Sequence, residues 1–258
     1  MTGELRTRAI VGVILILVAL VALLTGGILF WLLLVVAGVL MQGEWADLSR
    51  SGREHRRLSM MAVSVPLAIL CPVAAGVSWL AFGLMMAAFF FVLLVARSLR
   101  LALGVLYVCV PVMALLFLRG QEPQGYGLLL AFWSLGLVWA TDIGAYFAGR
   151  SIGGPKLAPR VSPSKTWAGL GGGVIAALLL GFLLHRFAGL PAQLAAASGL
   201  LAVAAQAGDL LESWMKRQAG VKDSGALLPG HGGVMDRLDG VVTAAPIAAL
   251  LCLALGAA

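Results

Sequence analysis

The densest group of chemically reactive side chains lies in residues 213–239, between two long apolar regions. Only 11% of the 258 residues are charged, so this concentration calls for a chemical reason. Glycines let a backbone approach a ligand closely, cations bind phosphate, and carboxylates suit Mg²⁺. The stretch therefore predicts a site for a metal-bound nucleotide phosphate. Its charged residues are Lys216, Arg217, Lys222, Asp223, Asp236, Arg237 and Asp239.

A second polar segment begins at Asp142, inside an otherwise apolar run. A charged carboxylate at membrane depth costs about 2.5–3.5 kcal/mol on insertion scales, so a functional role is the default reading. A carboxylate at a water-exposed helix mouth is the alternative. The glycines, hydroxyls and cations that follow suit a phosphate cradle, or else a basic loop facing anionic lipid. They are Gly149, Arg150, Gly153, Gly154, Lys156, Arg160, Ser162, Ser164, Lys165 and Thr166.

Residues 213–239 resemble the signature of the phosphatidate cytidylyltransferase family. The resemblance lies in Ser213, Lys216, Arg217, Lys222, Asp223, Gly225, Leu228, Pro229, His231, Gly232, Gly233, Asp236, Arg237 and Asp239. Members of this family are integral membrane enzymes that join CTP to phosphatidic acid, giving CDP-diacylglycerol and pyrophosphate. Residues 141–150, TDIGAYFAGR, are similar to a second family segment. Ser164 and Ala168, however, stand where the family pattern has Lys and Glu.

The resemblance also implies roles for individual residues. The catalytic group is expected to be Asp209, Asp236, Lys216, Arg217, Lys222 and His231. Metal ligation is assigned first to Asp209 and Asp236, holding Mg²⁺ and a second cation, with Asp142, Asp223 and Asp239 as alternates. Substrate contacts are expected from Lys165, Ser162, Thr166, Arg237, Gly232, Gly233 and Ser213. Two alternatives stay open: a loop-ordering role for His231, and a membrane-surface role for some of the cations.

The composition predicts helices in a membrane as the scaffold. Hydrophobic residues make up 61% of the chain and the mean hydropathy is +1.02, far above what a soluble core needs. We expect an all-α, polytopic helical bundle of about nine transmembrane helices. The predicted spans are 10–24, 28–41, 60–71, 77–95, 101–118, 126–147, 168–184, 190–207 and 241–255. Cys71, Cys109 and Cys252 lie singly in apolar segments and indicate neither a zinc site nor a disulfide framework.

The whole chain, 1–258, is predicted to be one membrane-embedded domain. Residues 1–125 would supply the N-terminal helices and 126–258 the catalytic helices and polar loops. Residues 10–24 are short for a span, so a cleavable signal peptide competes with a retained helix followed by a glycine turn. Residues 42–59 form a basic connector, read either as a helix at the headgroup boundary or as a solvated loop.

Charge indicates the orientation in the membrane. If nine spans alternate from a cytoplasmic N-terminus, sixteen of the 18 Lys and Arg residues fall inside, and only Arg119 and Arg186 fall outside. This predicts a protein of the inner membrane with both polar segments facing the cytoplasm. The net charge of +7 is then explained by membrane orientation and by the binding of anionic ligands, so no nucleic-acid partner is expected. The expected partners are CTP, phosphatidic acid and membrane lipid, and a homodimer is left open.

Two other functions compete with cytidylyl transfer. A polytopic ion or phosphate transporter would also place charges at membrane depth, but it should show polar breaks in both halves. A CDP-alcohol phosphotransferase would need a D-G-x-x-A-R motif, which the chain lacks. Glu44→Gln and Asp47→Asn, in the early connector, are expected to leave activity near that of the wild type.

Overall fold

The computed structural model describes residues 3–227, 230 and 232–256. Within this part the chain forms nine α-helices and one short β-hairpin, which confirms the predicted all-α class. The helices are α1 (Gly3–Thr25), α2 (Gly27–Leu48), α3 (Arg53–Ile69), α4 (Trp79–Ala96), α5 (Leu99–Arg119), α6 (Gln124–Ser151), α7 (Trp167–Ala188), α8 (Ala192–Ala219) and α9 (Met235–Ala254). The strands are β1 (Lys156–Ala158) and β2 (Ser162–Thr166).

Seven of these helices are long and apolar enough to cross a membrane: α2 and α4 to α9. The chain is therefore an integral membrane protein. Helices α1 and α3 do not meet both criteria of length and hydropathy. The apolar part of α1 is the shorter stretch Ile10–Thr25. The first turns of α3 contain Arg53, Glu54, Arg56 and Arg57, which lower its hydropathy.

The helices extend beyond the apolar runs that predict them. α2 continues to Leu48 and α3 begins at Arg53, so only residues 49–52 of the predicted connector 42–59 are not helical. Serines set two later boundaries, because Ser78 Oγ accepts a hydrogen bond from Ala81 N at 3.3 Å and Ser98 Oγ from Leu101 N at 3.2 Å. Such N-caps pair amides that have no partner inside the helix.

Contacts divide the chain into two compact units. The N-terminal unit comprises Met1–Gly120 together with Gln218–Leu238, and the C-terminal unit comprises Gln121–Arg217 together with Asp239–Ala258. The division near residue 120 lies close to the predicted boundary between residues 125 and 126. The sequence does not indicate that residues 218–238 join the N-terminal helices.

In the N-terminal unit, indole and guanidinium groups fix α2 and α1 in place. Trp45 Nε1 donates to Arg100 O at 2.7 Å, and Trp31 Nε1 donates to Leu67 O at 2.9 Å. Arg119 Nε donates to Leu23 O at 2.8 Å, at the last turn of α1. The Trp45 bond holds the C-terminal turns of α2 against α5.

In the C-terminal unit, α6 and α7 pack backbone to backbone. A Cβ on Gly172 would lie 2.2 Å from Ala148 Cβ and 2.8 Å from Gly144 O, so only glycine fits there. The antiparallel hairpin leads into α7, with Lys156 opposite Thr166. Thr166 Oγ1 accepts from Gly169 N at 3.0 Å and caps α7. These contacts fix the end of β2 beside α6.

Candidate active site

A cavity of about 340 Å³ lies in the C-terminal unit where β2, α6, α7 and α8 meet. Its wall contains three carboxylate or amide side chains and two cations, an unusual density for helices of such high hydropathy. The lining residues are Asp142, Ala145, Tyr146, Gly149, Arg150, Ser164, Lys165, Thr166, Gly169, Leu170, Gln206 and Asp209. Three predicted site residues, Asp142, Lys165 and Asp209, are thus brought together.

Lys165 is the centre of the polar contacts in this cavity. Its ammonium group forms an ion pair with Asp209 Oδ2 and donates to Gln206 Oε1 at 3.1 Å. Gln206 Nε2 donates to Asp142 Oδ1 at 3.4 Å. Ser213 Oγ donates to Asp209 Oδ1 at 3.3 Å. One connected network therefore orients a cation and two carboxylates toward the same space.

Asp239, on α9, joins these carboxylates through the close approach of α8 and α9. A Cβ on Gly208 would lie 2.5 Å from Asp239 O and 2.4 Å from Thr243 Oγ1, so the two backbones need glycine at that position. Asp239 interacts electrostatically with Asp209 and Asp142. Three of the five predicted metal ligands are therefore electrostatic neighbours in the C-terminal unit.

The donor set suits Mg²⁺. Among the described residues, no three His, Cys, Asp or Glu side chains converge closely enough to hold a metal by themselves. Mg²⁺ commonly takes only one or two carboxylates and completes its shell with water and substrate phosphate oxygens. Asp142 and Asp209 supply such oxygens beside the cavity, and a carboxylate has about four lone-pair sites, so the existing contacts of Asp209 leave room for a metal.

The hydroxyl residues predicted to contact substrate do not all line the cavity. Thr166 lines the cavity but is only 5% exposed, and its Oγ1 serves as the N-cap of α7. Ser162 pairs with Ala158 in the hairpin and is not among the lining residues. Ser164, which stands where the family pattern has Lys, lines the cavity together with Arg150.

Two predicted phosphate-binding cations of α8 have protein partners in the C-terminal unit. Lys216 Nζ lies 3.0 Å from Oε1 of Glu212, a carboxylate with no exposed side-chain surface. Arg217 Nε donates to Val161 O at 3.4 Å. Much of the charge of Lys216 is therefore balanced by Glu212 already, because the two groups form a close, poorly hydrated pair.

The rest of the signature belongs to the N-terminal unit. We define the signature loop as residues 220–227, 230 and 232–234, the part of this segment that the structure describes. Lys222, Asp223 and Arg237 are exposed, and their side chains make no hydrogen bond or ion pair with any residue that the structure describes. They are accessible to a ligand from solution. His231 lies outside the described residues, as do Leu228 and Pro229.

Asp236 orders the signature loop. Its Oδ2 accepts from Gly233 N at 2.8 Å, from Ser224 N at 2.9 Å and from Ser224 Oγ at 3.0 Å. Gly232 has φ of +78°, and a Cβ there would lie 2.6 Å from Asp236 Oδ2. These contacts give Asp236, Gly232 and Gly233 a role in the loop's own conformation. Their predicted roles toward metal and substrate stay predictions.

Glu44 is a partner of this loop that the sequence analysis missed. It lies in the penultimate turn of α2, is 6% exposed, and its Oε1 accepts from Val234 N at 2.8 Å. Its Oε2 accepts from Met235 N at 2.9 Å and from Ser224 Oγ at 2.9 Å. Glu44 is therefore not a solvated connector charge, although the expected effect of Glu44→Gln on activity stays a prediction. Helix α2 continues past the apolar run and buries this carboxylate under the loop.

Gln206 was missed as well, because an amide in an alanine-rich run carries no charge signal. Its position three residues before Asp209 on α8 places both on one helix face, and that spacing could have revealed it. The two first-choice metal ligands fall in different units, Asp209 in the C-terminal and Asp236 in the N-terminal one. A cation shared by them stays a prediction.

Comparison with known proteins agrees with this chemistry. The family model described as "Cytidylyltransferase family" matches residues 6–255. A "Phosphatidate cytidylyltransferase" of Brucella suis biovar 1 (strain 1330) is 41% identical over 258 residues, covering 95% of this chain and 92% of that protein. Proteins of the same name from Haemophilus influenzae and Bacillus subtilis are 48% and 43% identical over 47% and 50% of this chain, and over 44% and 49% of their own lengths. The chain belongs to the cytidylyltransferase family.

Proposed function

We propose that this protein is a phosphatidate cytidylyltransferase. A phosphate oxygen of phosphatidic acid attacks the α-phosphorus of CTP, a new P–O bond forms, and the bond to the β-phosphate breaks. The products are CDP-diacylglycerol and pyrophosphate. The relatives are named for this activity, and the chain matches one group of them over nearly its full length. The transporter alternative has no comparable support.

The observation that carries the proposal is the network of Lys165, Asp209, Gln206 and Asp142 around one cavity. A lipid phosphate and a triphosphate repel each other, so the main task of the enzyme is to neutralise and align two anions. Lys165 supplies a cation whose position is fixed by two partners. Such fixed charge needs little reorganisation during the reaction.

The attacking phosphate monoester needs no strong general base, because it is already anionic near neutral pH. Lys165 would bind a phosphate oxygen in the cavity. Gln206 would hold the ammonium group of Lys165 and the carboxylate of Asp142 in fixed positions, because it hydrogen-bonds both. The exposed side chains of Lys222 and Arg237 would attract the triphosphate from solution. Lys216 would contribute less, since Glu212 balances its charge.

Asp142 and Asp209 are the residues that would hold Mg²⁺, and the ion when bound would neutralise phosphate charge and polarise the α-phosphate. Lys165 and the two carboxylates would then have different roles. Lys165 keeps Asp209 oriented and contacts an anion, whereas the carboxylates provide oxygen ligands. We further infer that the cavity faces the cytoplasm of the inner membrane, where CTP is present. The sixteen-to-two distribution of Lys and Arg, counted for nine crossing helices, supports this orientation.

The proposal is tested with purified protein in detergent, radiolabelled CTP, phosphatidic acid and Mg²⁺. We expect a lipid-extractable cytidine product and an equal amount of pyrophosphate. Asp209→Asn, inserted and folded like the wild type, should lack this product. Absence of any lipid-soluble cytidine with folded wild-type protein would reject the proposed function.

A further inference from the structure

Two charged residues, Glu44 near the end of α2 and Arg50 just after it, contact the helix ends on either side of the signature loop. At the exit of the loop, Glu44 accepts from the amides of Val234 and Met235, which begin α9. At the entry, Arg50 Nη2 lies 3.3 Å from Gln218 O and 3.4 Å from Ala219 O, the last carbonyls of α8. All six residues belong to the N-terminal unit.

The signs of these two charges match the helix ends that they contact. The first amides of a helix lack internal acceptors and carry partial positive charge, which favours an anion such as Glu44. The last carbonyls carry partial negative charge, which favours a cation such as Arg50. Glu44 makes the stronger contact, because its bonds are shorter and its carboxylate is buried.

The loop backbone fits closely over the Glu44 carboxylate. A Cβ on Gly233 would lie 2.5 Å from Glu44 Oε2 and 2.2 Å from Ser224 Oγ. A Cβ on Gly225 would lie 3.0 Å from Glu44 Oε1. These two signature glycines therefore let the loop approach Glu44, a requirement independent of any ligand.

Ser224 links Glu44 to Asp236. Its hydroxyl lies 2.9 Å from Glu44 Oε2 and 3.0 Å from Asp236 Oδ2, so the two carboxylates share one donor. Asp236 in turn accepts from the amides of Ser224 and Gly233. A change at Glu44 must therefore reach the loop segment between exposed Lys222 and Arg237.

We propose that Glu44 is a positioning residue for cytidylyl transfer, and that it fixes the signature loop in the conformation that receives CTP. This inference rests on the proposed function. Glu44 contacts the signature loop and the start of α9, and it would act on CTP binding through them. Because Lys222 and Arg237 flank the held segment, the loss of Glu44 should weaken CTP binding more than phosphatidate binding.

The test compares Glu44→Gln, Ser224→Ala and their double variant with Asp47→Asn. A glutamine amide has one acceptor oxygen, so either orientation leaves the amide of Val234 or Met235 facing an N–H group. Asp47 is a matched control: it lies on the same helix, its side chain is 57% exposed, and it pairs with Arg56 at 3.1 Å. KM for CTP, KM for phosphatidate, kcat and amide hydrogen exchange of residues 232–238 are measured in detergent.

We expect Glu44→Gln to raise KM for CTP on the order of tenfold, with KM for phosphatidate near the wild-type value, as loss of a buried hydrogen-bonded pair predicts. Exchange at residues 232–238 should rise, and the double variant should cost little more than Glu44→Gln alone, because both act in one network. Asp47→Asn should match the wild type in every measurement.

Two results would overturn the proposal. One is Glu44→Gln with unchanged loop exchange and unchanged KM for CTP. The other is a loss of folded protein with both KM values unchanged, which indicates a purely structural role. If Glu44→Gln fails to insert, Ser224→Ala decides by the same criteria, since it removes only one donor. Wild-type protein that makes no CDP-diacylglycerol would instead reject the proposed function, while the exchange data would still report on Glu44.

Discussion

Lys165, the penultimate residue of β2, forms an ion pair with Asp209 in the middle of α8. The side chains are 15% and 29% exposed, so the pair is partly shielded from water yet open to the cavity. A lysine held in this way can exchange one anionic partner for another when a phosphate enters. The pair thus joins a predicted substrate contact, Lys165, to a predicted metal ligand, Asp209.

Lys165→Met should reduce kcat/KM about a hundredfold or more, because a fixed cation facing two anions is lost while the side-chain length is kept. The measurement is initial-rate kinetics with CTP and phosphatidate in detergent. Lys156→Met is the matched control, since Lys156 lies on β1 of the same hairpin, is exposed and does not line the cavity. Equal activities of the two variants would remove Lys165 from the site.

Gln206→Leu should lower kcat about tenfold, since the bridge between Lys165 and Asp142 is removed with little change in volume. Gln193→Leu, near the exposed start of the same helix, should have no effect. Steady-state kinetics of both variants check this prediction. Wild-type kcat in Gln206→Leu would show that the amide does not organise the site.

The sequence predicts the charged residues of the site better than it predicts its neutral residues or those far away along the chain. Asp142 and Asp209 stand out because ionisable groups are rare in apolar helices, and Lys165 lies in the basic segment that follows Asp142. Gln206 has no charge, so nothing in the hydropathy pattern distinguishes it. Glu44 is charged, but 180 residues separate it from Ser224, and no local pattern reports such a pairing.

The same physics explains the differences in the fold. Hydropathy detects the apolar core of a helix but not its polar ends, so α2 and α8 continue beyond their predicted spans to Leu48 and Ala219. The short hairpin, with Lys156 opposite Thr166, was not predicted, because its strands lack an alternating apolar pattern. Family resemblance supplied the roles that periodicity alone could not give.

Asp142→Asn and Asp209→Asn should each reduce activity by orders of magnitude if the two carboxylates, which line one cavity, share a cation. The double variant should then cost little more than either single variant, because groups that act as a unit are strongly non-additive. Activity should also disappear in excess EDTA and return with added Mg²⁺. Additive losses, or turnover that EDTA does not change, would argue against a shared cation.

Single cysteines test the orientation in a background where Cys71, Cys109 and Cys252 are replaced. Probes at Arg53 and Ala226 should react with impermeant reagents only from the cytoplasmic side, and a probe at Glu122 only from the opposite side. All three positions are exposed. Ala226 is preferable to Gly225, where a Cβ would lie 3.0 Å from Glu44. Labelling of Glu122 and Ala226 from the same side would contradict the predicted topology.

The transfer itself is tested most directly by following two labels in one reaction. Purified protein receives phosphatidic acid, Mg²⁺ and CTP that carries distinguishable labels on its α- and γ-phosphates. Attack at the α-phosphorus predicts that the α-label enters the lipid phase in CDP-diacylglycerol, while the γ-label remains in aqueous pyrophosphate in equal amount. Transfer of the γ-label to lipid, or release of pyrophosphate without lipid-bound α-label, would contradict the assignment as a phosphatidate cytidylyltransferase.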